Sequence, residues 1–299
     1  AFCLVMALAV VSLIPRPIEP ADPALYRQCR WYGRYYDTYP EGETSDWYQD
    51  VIKDVIVPKR AVSGDEFENG GIRFGAGEKP DVVLLGDSHA TMWAHLVHRL
   101  TIERGRSLSV WAINGFDPLF NSDARINDAD SIKSRYDAAR RERLAQWSPE
   151  LTIISMRWSW RDLSRAQEFV KFAASCSDQV LLIGPTPELR IGDGNARDHL
   201  IRKGIAPNDR GVYLMPPVES QAILEATEFV QRVADSFPNV HALSIGRRYL
   251  RDGGVVVLVG RHCVYLDDDH LTDFGTWLAK PAFESVLGRL LPARSGVDR

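Results

Sequence analysis

From Asp81 onward the chain alternates short, wholly apolar runs with longer stretches in which apolar residues recur every three or four positions. The short runs are DVVLLG (81–86), SLSVWAIN (107–114), LTIISMR (151–157), QVLLIG (179–184) and a weaker NVHALSI (239–245). Apolar runs of this length predict strands covered on both faces, as in a parallel sheet. The periodic stretches at 88–104, 130–146, 162–175, 219–236 and 273–290 predict the covering helices. Together they predict an α/β fold, an open three-layer α/β/α sandwich around a mostly parallel sheet. Function in such sheets gathers at the carboxyl ends of the strands, where strand order reverses.

The flanking segments read differently. Ala1–Pro15 carries no charge and lacks the basic flank of a signal peptide, yet it is shorter than the roughly 20 apolar residues that cross a bilayer. The expectation is the end of a transmembrane helix that starts further upstream, with a buried helix as the other reading. Residues 16–79 read as a linker and aromatic-rich extension, with eight aromatics between Tyr26 and Tyr48 that suit either packing on the next domain or stacking on sugar rings. Glu66–Pro80 reads as a glycine-rich connector into the regular fold, and Pro185–Val218, further on, as a long irregular insertion. Residues 80–292 form the expected domain and 293–299 a tail.

Composition narrows the class. The hydrophobic share of 45% in 299 residues excludes wholesale disorder, and 36 basic against 40 acidic side chains leave a net charge of −4, with no field to attract nucleic acid. Cys3 lies in the apolar opening, so Cys29, Cys176 and Cys263 allow at most one disulfide among them.

Two local patterns carry chemistry. In VVLLGDSHATMWAHLVHRL a strand runs into Gly86-Asp87-Ser88-His89 and then a helix, which puts the Ser88 hydroxyl on a strand-to-helix turn beside the first helical amides. A helix N-cap is the other role open to Ser88. In YLDDDHLTDFG, Asp267 and His270 are separated by two residues just before the last predicted helix. A serine nucleophile needs an imidazole to take its proton, and the imidazole needs a carboxylate to fix its tautomer. Ser88, His270 and Asp267 fill these roles, with Asp268 and Asp269 as rivals to Asp267; Asp269 and Thr272 are also candidate caps of the following helix.

GDSH after the first strand and DxxH before the final helix resemble the SGNH (GDSL) hydrolase superfamily. GDSHA with YLDDDHLT is similar to the SGNH domains fused behind bacterial integral-membrane O-acyltransferases. The resemblance covers about residues 80–292 and implies an SGNH, flavodoxin-like fold with a Ser88, His270 and Asp267 catalytic triad. It places the oxyanion hole at the amides of Ser88 and Gly115, the latter directly after the second strand, where a missing Cβ lets a carbonyl oxygen approach. The third block departs from the family, because IISMRWSW offers Arg157 and Trp158 in place of an asparagine. Arg157 is the candidate replacement donor, and an ion pair is its other reading. Asp87, His89, Asn114 and Trp158 are candidate pocket residues, with bracing of the loop as the preferred reading of His89. His95 and His98 read as surface or half-buried.

The resemblance implies O-acyl transfer, acetyl first among acyl groups, to a cell-envelope polysaccharide or lipopolysaccharide. Esterase action by the same residues and a non-catalytic glycan-binding module are the alternatives. It further implies a periplasmic, membrane-anchored domain that receives its acyl group through an upstream membrane acyltransferase domain. No cofactor is expected. No metal is expected either, because His262, Cys263, Asp267, Asp268, Asp269 and His270 lack the spacing of zinc or calcium sites.

Overall fold

A computed structural model describes residues 68–113, 115–120, 132–191, 196–205, 211–260 and 262–294. The expected transmembrane end, the aromatic-rich stretch, Cys29 and Asn114 lie outside the described residues. Among the described residues no helix is long and apolar enough to cross a membrane.

The apolar runs form strands β2 (Val82–Gly86), β3 (Leu108–Ala112), β4 (Leu151–Ser155), β5 (Gln179–Ile183) and β7 (Val240–Leu243). They are parallel and lie side by side in the order β3-β2-β4-β5-β7. Sequence order reverses on either side of β2, so a crevice opens beyond its carboxyl end. β2 is buried throughout: Val82 and Leu84 enter one core, Val83 and Leu85 the other. Two cores on opposite faces make the structure three-layered.

Helices follow the predicted stretches with two interruptions. The first stretch splits into α1 (Ser88–Thr91) and α2 (Ala94–Ile102), but Met92 and Trp93 between them keep right-handed helical angles, so the chain barely changes course. α3 (Ile132–Trp147) and α4 (Leu163–Cys176) flank β4. α5 (Ala196–Arg202) precedes α6 (Gln221–Ser236). The last stretch becomes α7 (Asp273–Trp277) and α8 (Lys280–Leu290), where Pro281 in the first turn of α8 lacks the N–H needed to continue the preceding helix.

Two readings are corrected by pairing between distant segments. The glycine-rich connector contains β1 (Ile72–Phe74), antiparallel to β3 at the sheet edge. The irregular insertion contains α5 and also β6 (Val212–Met215). β6 pairs with β9 (Gly254–Val259), which also pairs with β8 (Leu250–Arg251) and β10 (His262–Cys263) to make a second, antiparallel sheet. Arg294, in the expected tail, pairs with Asp81 and Glu150. His95 is buried, against expectation, because α2 turns that face to the core, while His98 is half-buried with its ring edge-on to Phe74 at 4.8 Å. Cys176 is a free thiol.

Candidate active site

The turn after β2 is built by Gly86. Its φ is +151°, and a Cβ there would stand 1.7 Å from the Ser155 carbonyl oxygen of β4. Only glycine lets the two backbones run this close. Asp87 follows as the N-cap of α1, its carboxylate accepting the His89 N–H at 2.9 Å. The capping role open to Ser88 therefore belongs to Asp87, and the Ser88 hydroxyl faces elsewhere.

It faces His270: Ser88 Oγ lies 2.7 Å from His270 Nε2. The other ring nitrogen, Nδ1, lies 2.9 Å from Asp267 Oδ2 and 2.8 Å from Asp269 Oδ1. The loop holding these groups is folded by Asp267 itself, whose Oδ1 accepts the backbone N–H of Asp269 at 3.1 Å and of His270 at 2.8 Å. The loop also closes on itself through the Leu266 N–H to the His270 carbonyl at 2.8 Å. It is anchored to the β5 side by the Leu189 N–H on the Asp268 carbonyl at 2.7 Å. Thr272, not Asp269, caps α7 by accepting the Gly275 N–H.

Asp269 is buried and central. Its Oδ2 meets His89 Nε2 at 3.2 Å and Arg157 Nε at 2.8 Å. Burial alone would raise its pKa, but the hydrogen bonds from His270 and His89 and the charges behind them hold the carboxyl well below the usual range. For His270, burial works against the proton, yet the hydrogen bonds to Asp267 and Asp269 and their charges outweigh it and push the imidazole up to about 10. Asp268 is raised by its own burial and by its two carboxylate neighbours.

Arg157, the candidate oxyanion donor, is instead engaged by carboxylates: besides Asp269, its Nη2 lies 3.7 Å from Glu188. Its backbone N–H donates to Asp87 Oδ2 at 3.0 Å, and Arg161 Nη2 pairs with the same oxygen. Asp87 is thus 2% exposed and filled by donors, so it lines no open pocket, and His89 is buried against Asp269, in the bracing role rather than the pocket role. Trp158 is 1% exposed, its indole N–H donating to the Ile183 carbonyl at 2.7 Å, so it belongs to the core. Gly115 has φ +69° and open space where a Cβ would be. It follows Ile113, whose N–H donates to the Gly86 carbonyl at 3.3 Å, so the segment leaves β3 next to the Ser88 turn.

His89, Asp269 and His270 bring possible metal donors within 4.8 Å of one another, as do Asp267, Asp268 and Asp269. Both nitrogens of His270 already face Ser88 or the carboxylates, so a metal there would have to break that chain. Sequence reasoning missed Arg161 and the central place of Asp269; adjacency to His270 was the signal for Asp269, and Arg161 gave none.

The sequence profile of the SGNH domain fused to AT3 domains matches residues 59–285. The chain belongs to this family. The SGNH domain is similar in structure to the periplasmic domain of a lipopolysaccharide acetyltransferase from Salmonella ser. Paratyphi A, at 17% identity and TM-score 0.57, covering 81% of this chain and 97% of that one. A Streptococcus pneumonia structure is more distant, at 10% identity and TM-score 0.45 over 81% of this chain and 95% of its own. No curated protein matches the chain.

Proposed function

We propose that this SGNH domain transfers an acyl group, acetyl first among them, to a hydroxyl of a cell-envelope polysaccharide through an acyl-serine intermediate on Ser88. The observation that carries the reading is the unbroken chain from Ser88 Oγ to His270 Nε2 at 2.7 Å and from His270 Nδ1 to Asp267 at 2.9 Å. Ser88 Oγ attacks the acyl carbonyl while its proton passes to Nε2, giving a tetrahedral oxyanion beside the Ser88 and Gly115 amides. The C–O bond to the donor breaks, and Nε2 returns the proton to the departing oxygen. An acceptor hydroxyl then gives its proton to Nε2 and attacks the acyl-serine, releasing Ser88 with the proton restored. Asp267 and Asp269 stabilise the imidazolium in both halves. Water in place of the sugar hydroxyl yields ester hydrolysis, so exclusion of water at the acceptor side decides transfer against esterase action.

Family membership supports a domain that works beside an upstream AT3 membrane domain, which would deliver the acyl group on the periplasmic face. Residues 80–292 are the catalytic unit in this reading, with the preceding residues as its tether. The acetyltransferase domain that it resembles in fold supports a lipopolysaccharide or related glycan as acceptor.

The test is hydrolysis of 4-nitrophenyl acetate by the chain and by Ser88→Ala, with intact-mass detection of an acetyl group on the protein. The chain is expected to turn over the ester and to trap acetyl on Ser88, and Ser88→Ala to do neither. Equal rates for the two proteins, with no acetyl adduct, would remove the reading.

A further inference from the structure

We infer that Trp160 is a stacking platform for a pyranose ring of the acceptor glycan. The inference deepens the proposed function and rests on its glycan acceptor. Trp160 is 69% exposed, more than any other large hydrophobic side chain described, whereas Trp93, Trp111, Trp147 and Trp158 are buried. An indole left in water forgoes the stabilisation that burying its large surface gives. A single exposed apolar side chain is in itself ordinary, so its setting decides the matter.

That setting is rigid and wired to the reacting groups. Trp160 lies in the 3₁₀ turn Trp158–Trp160 just beyond the carboxyl end of β4, the strand beside β2. Its backbone N–H donates to the Arg157 carbonyl at 3.1 Å, and the Arg157 guanidinium lies over the ring 3.5 Å from its centroid. Arg157 is in turn fixed at both ends, by Asp269 at 2.8 Å through the side chain and by Asp87 at 3.0 Å through the backbone. One carboxylate touches His270 and the other precedes Ser88 in the chain. Ser159, on the other side of the turn, donates to Glu188 at 3.1 Å.

The indole is therefore a fixed plate with a guanidinium on one face and solvent on the rest. Ser159 and Arg161, which flank it in the chain, and Glu188, which meets Ser159 and Arg157, are polar or charged. An apolar protein partner would need a continuous greasy patch, which this surround does not provide. A sugar ring offers the matching chemistry: its C–H face lies flat on the indole and its rim of hydroxyls meets charged and polar groups. Stacked there, a glycan has one ring held beside the turn that carries Ser88.

The test compares two esters, methyl 6-O-acetyl-α-D-glucopyranoside and ethyl acetate, which has no ring. The readout is the ratio of kcat/KM for the sugar ester to that for ethyl acetate. Trp160→Ala is expected to lower this ratio roughly fivefold, through KM on the sugar ester, and Trp160→Phe to restore most of it. An unchanged ratio in Trp160→Ala would overturn the inference. If the unaltered chain cleaves neither ester, the acyl-serine reading is what has failed, and calorimetric titration with dextran decides the platform separately. Binding by the unaltered chain that is lost in Trp160→Ala then supports it; equal binding, or none by either protein, overturns it.

Discussion

Asp269 Oδ1 lies 2.8 Å from His270 Nδ1, the same ring nitrogen that Asp267 Oδ2 approaches at 2.9 Å. One imidazole thus sits between two carboxylates, and Asp269 is buried with His89 and Arg157 on its far oxygen. Two anions favour the imidazolium, which helps once a proton has been taken from Ser88. The same anions leave the ring already protonated at neutral pH, with its pKa pushed up to about 10. The base has to lose that proton before it can act.

Ester hydrolysis by the chain is expected to climb with pH through the neutral and alkaline range, corrected for the uncatalysed rate. Asp269→Asn removes one of the charges that raise His270, so its rising limb is expected at lower pH, with a lower plateau because the imidazolium is less stabilised. Stability runs the other way. The His270 contribution is whole below the ordinary 6.5 and fades as pH rises toward about 10, while that of Asp269, whose pKa is lowered, is whole above 3.8 and fades in acid. Melting temperature is therefore expected to fall from neutral to alkaline pH as activity rises. Asp269→Asn flattens that fall, and a limb that does not move in this variant would refute the two-carboxylate account.

Gly86→Ala tests the turn. The new methyl would meet the Ser155 carbonyl oxygen at 1.7 Å on a backbone with φ +151°, so neither a rotamer nor a small shift relieves it. Overpacking and backbone strain together are expected to destabilise by about 3 kcal/mol or more. Urea unfolding measures this directly. Whatever folds should react slowly, because the residue after next is Ser88.

Asp87→Ala leaves the Arg157 and His89 amides and the Arg161 guanidinium without their shared acceptor. Breaking one side of a buried ion pair is expected to lose about 3 kcal/mol. Activity should fall further than stability accounts for, since this carboxylate holds the β2 and β4 turns together. Wild-type activity at temperatures well below the melting point of the variant would count against that bracing role.

Much of this fold can be read along the chain. Runs such as Val82–Gly86 and Leu151–Ser155 are buried on both faces, and a strand covered twice is apolar throughout. Ile72–Phe74 was not legible, because three half-buried residues among glycines become a strand only by pairing with β3. Val212–Met215 was hidden likewise, its partner β9 lying some forty residues further on. Trp158 and Trp160 are two apart on one short turn, and nothing local says which enters the core; the Ile183 carbonyl, reached by the Trp158 indole, settles it.

The chain alone determined the parallel sheet, the turn bearing Ser88 and the Asp267 and His270 pair, because each depends on periodicity or on residues within a few positions of one another. The pairing of Asp87 with Arg161 and of Asp269 with Arg157 was decided only by the folded sheet. Their charges come from segments that meet solely because β2 and β4 run side by side and the last loop folds back over their ends. Local sequence encodes what a side chain can do; the packing of distant segments sets which opposite charge it meets, and thereby which groups are left to react.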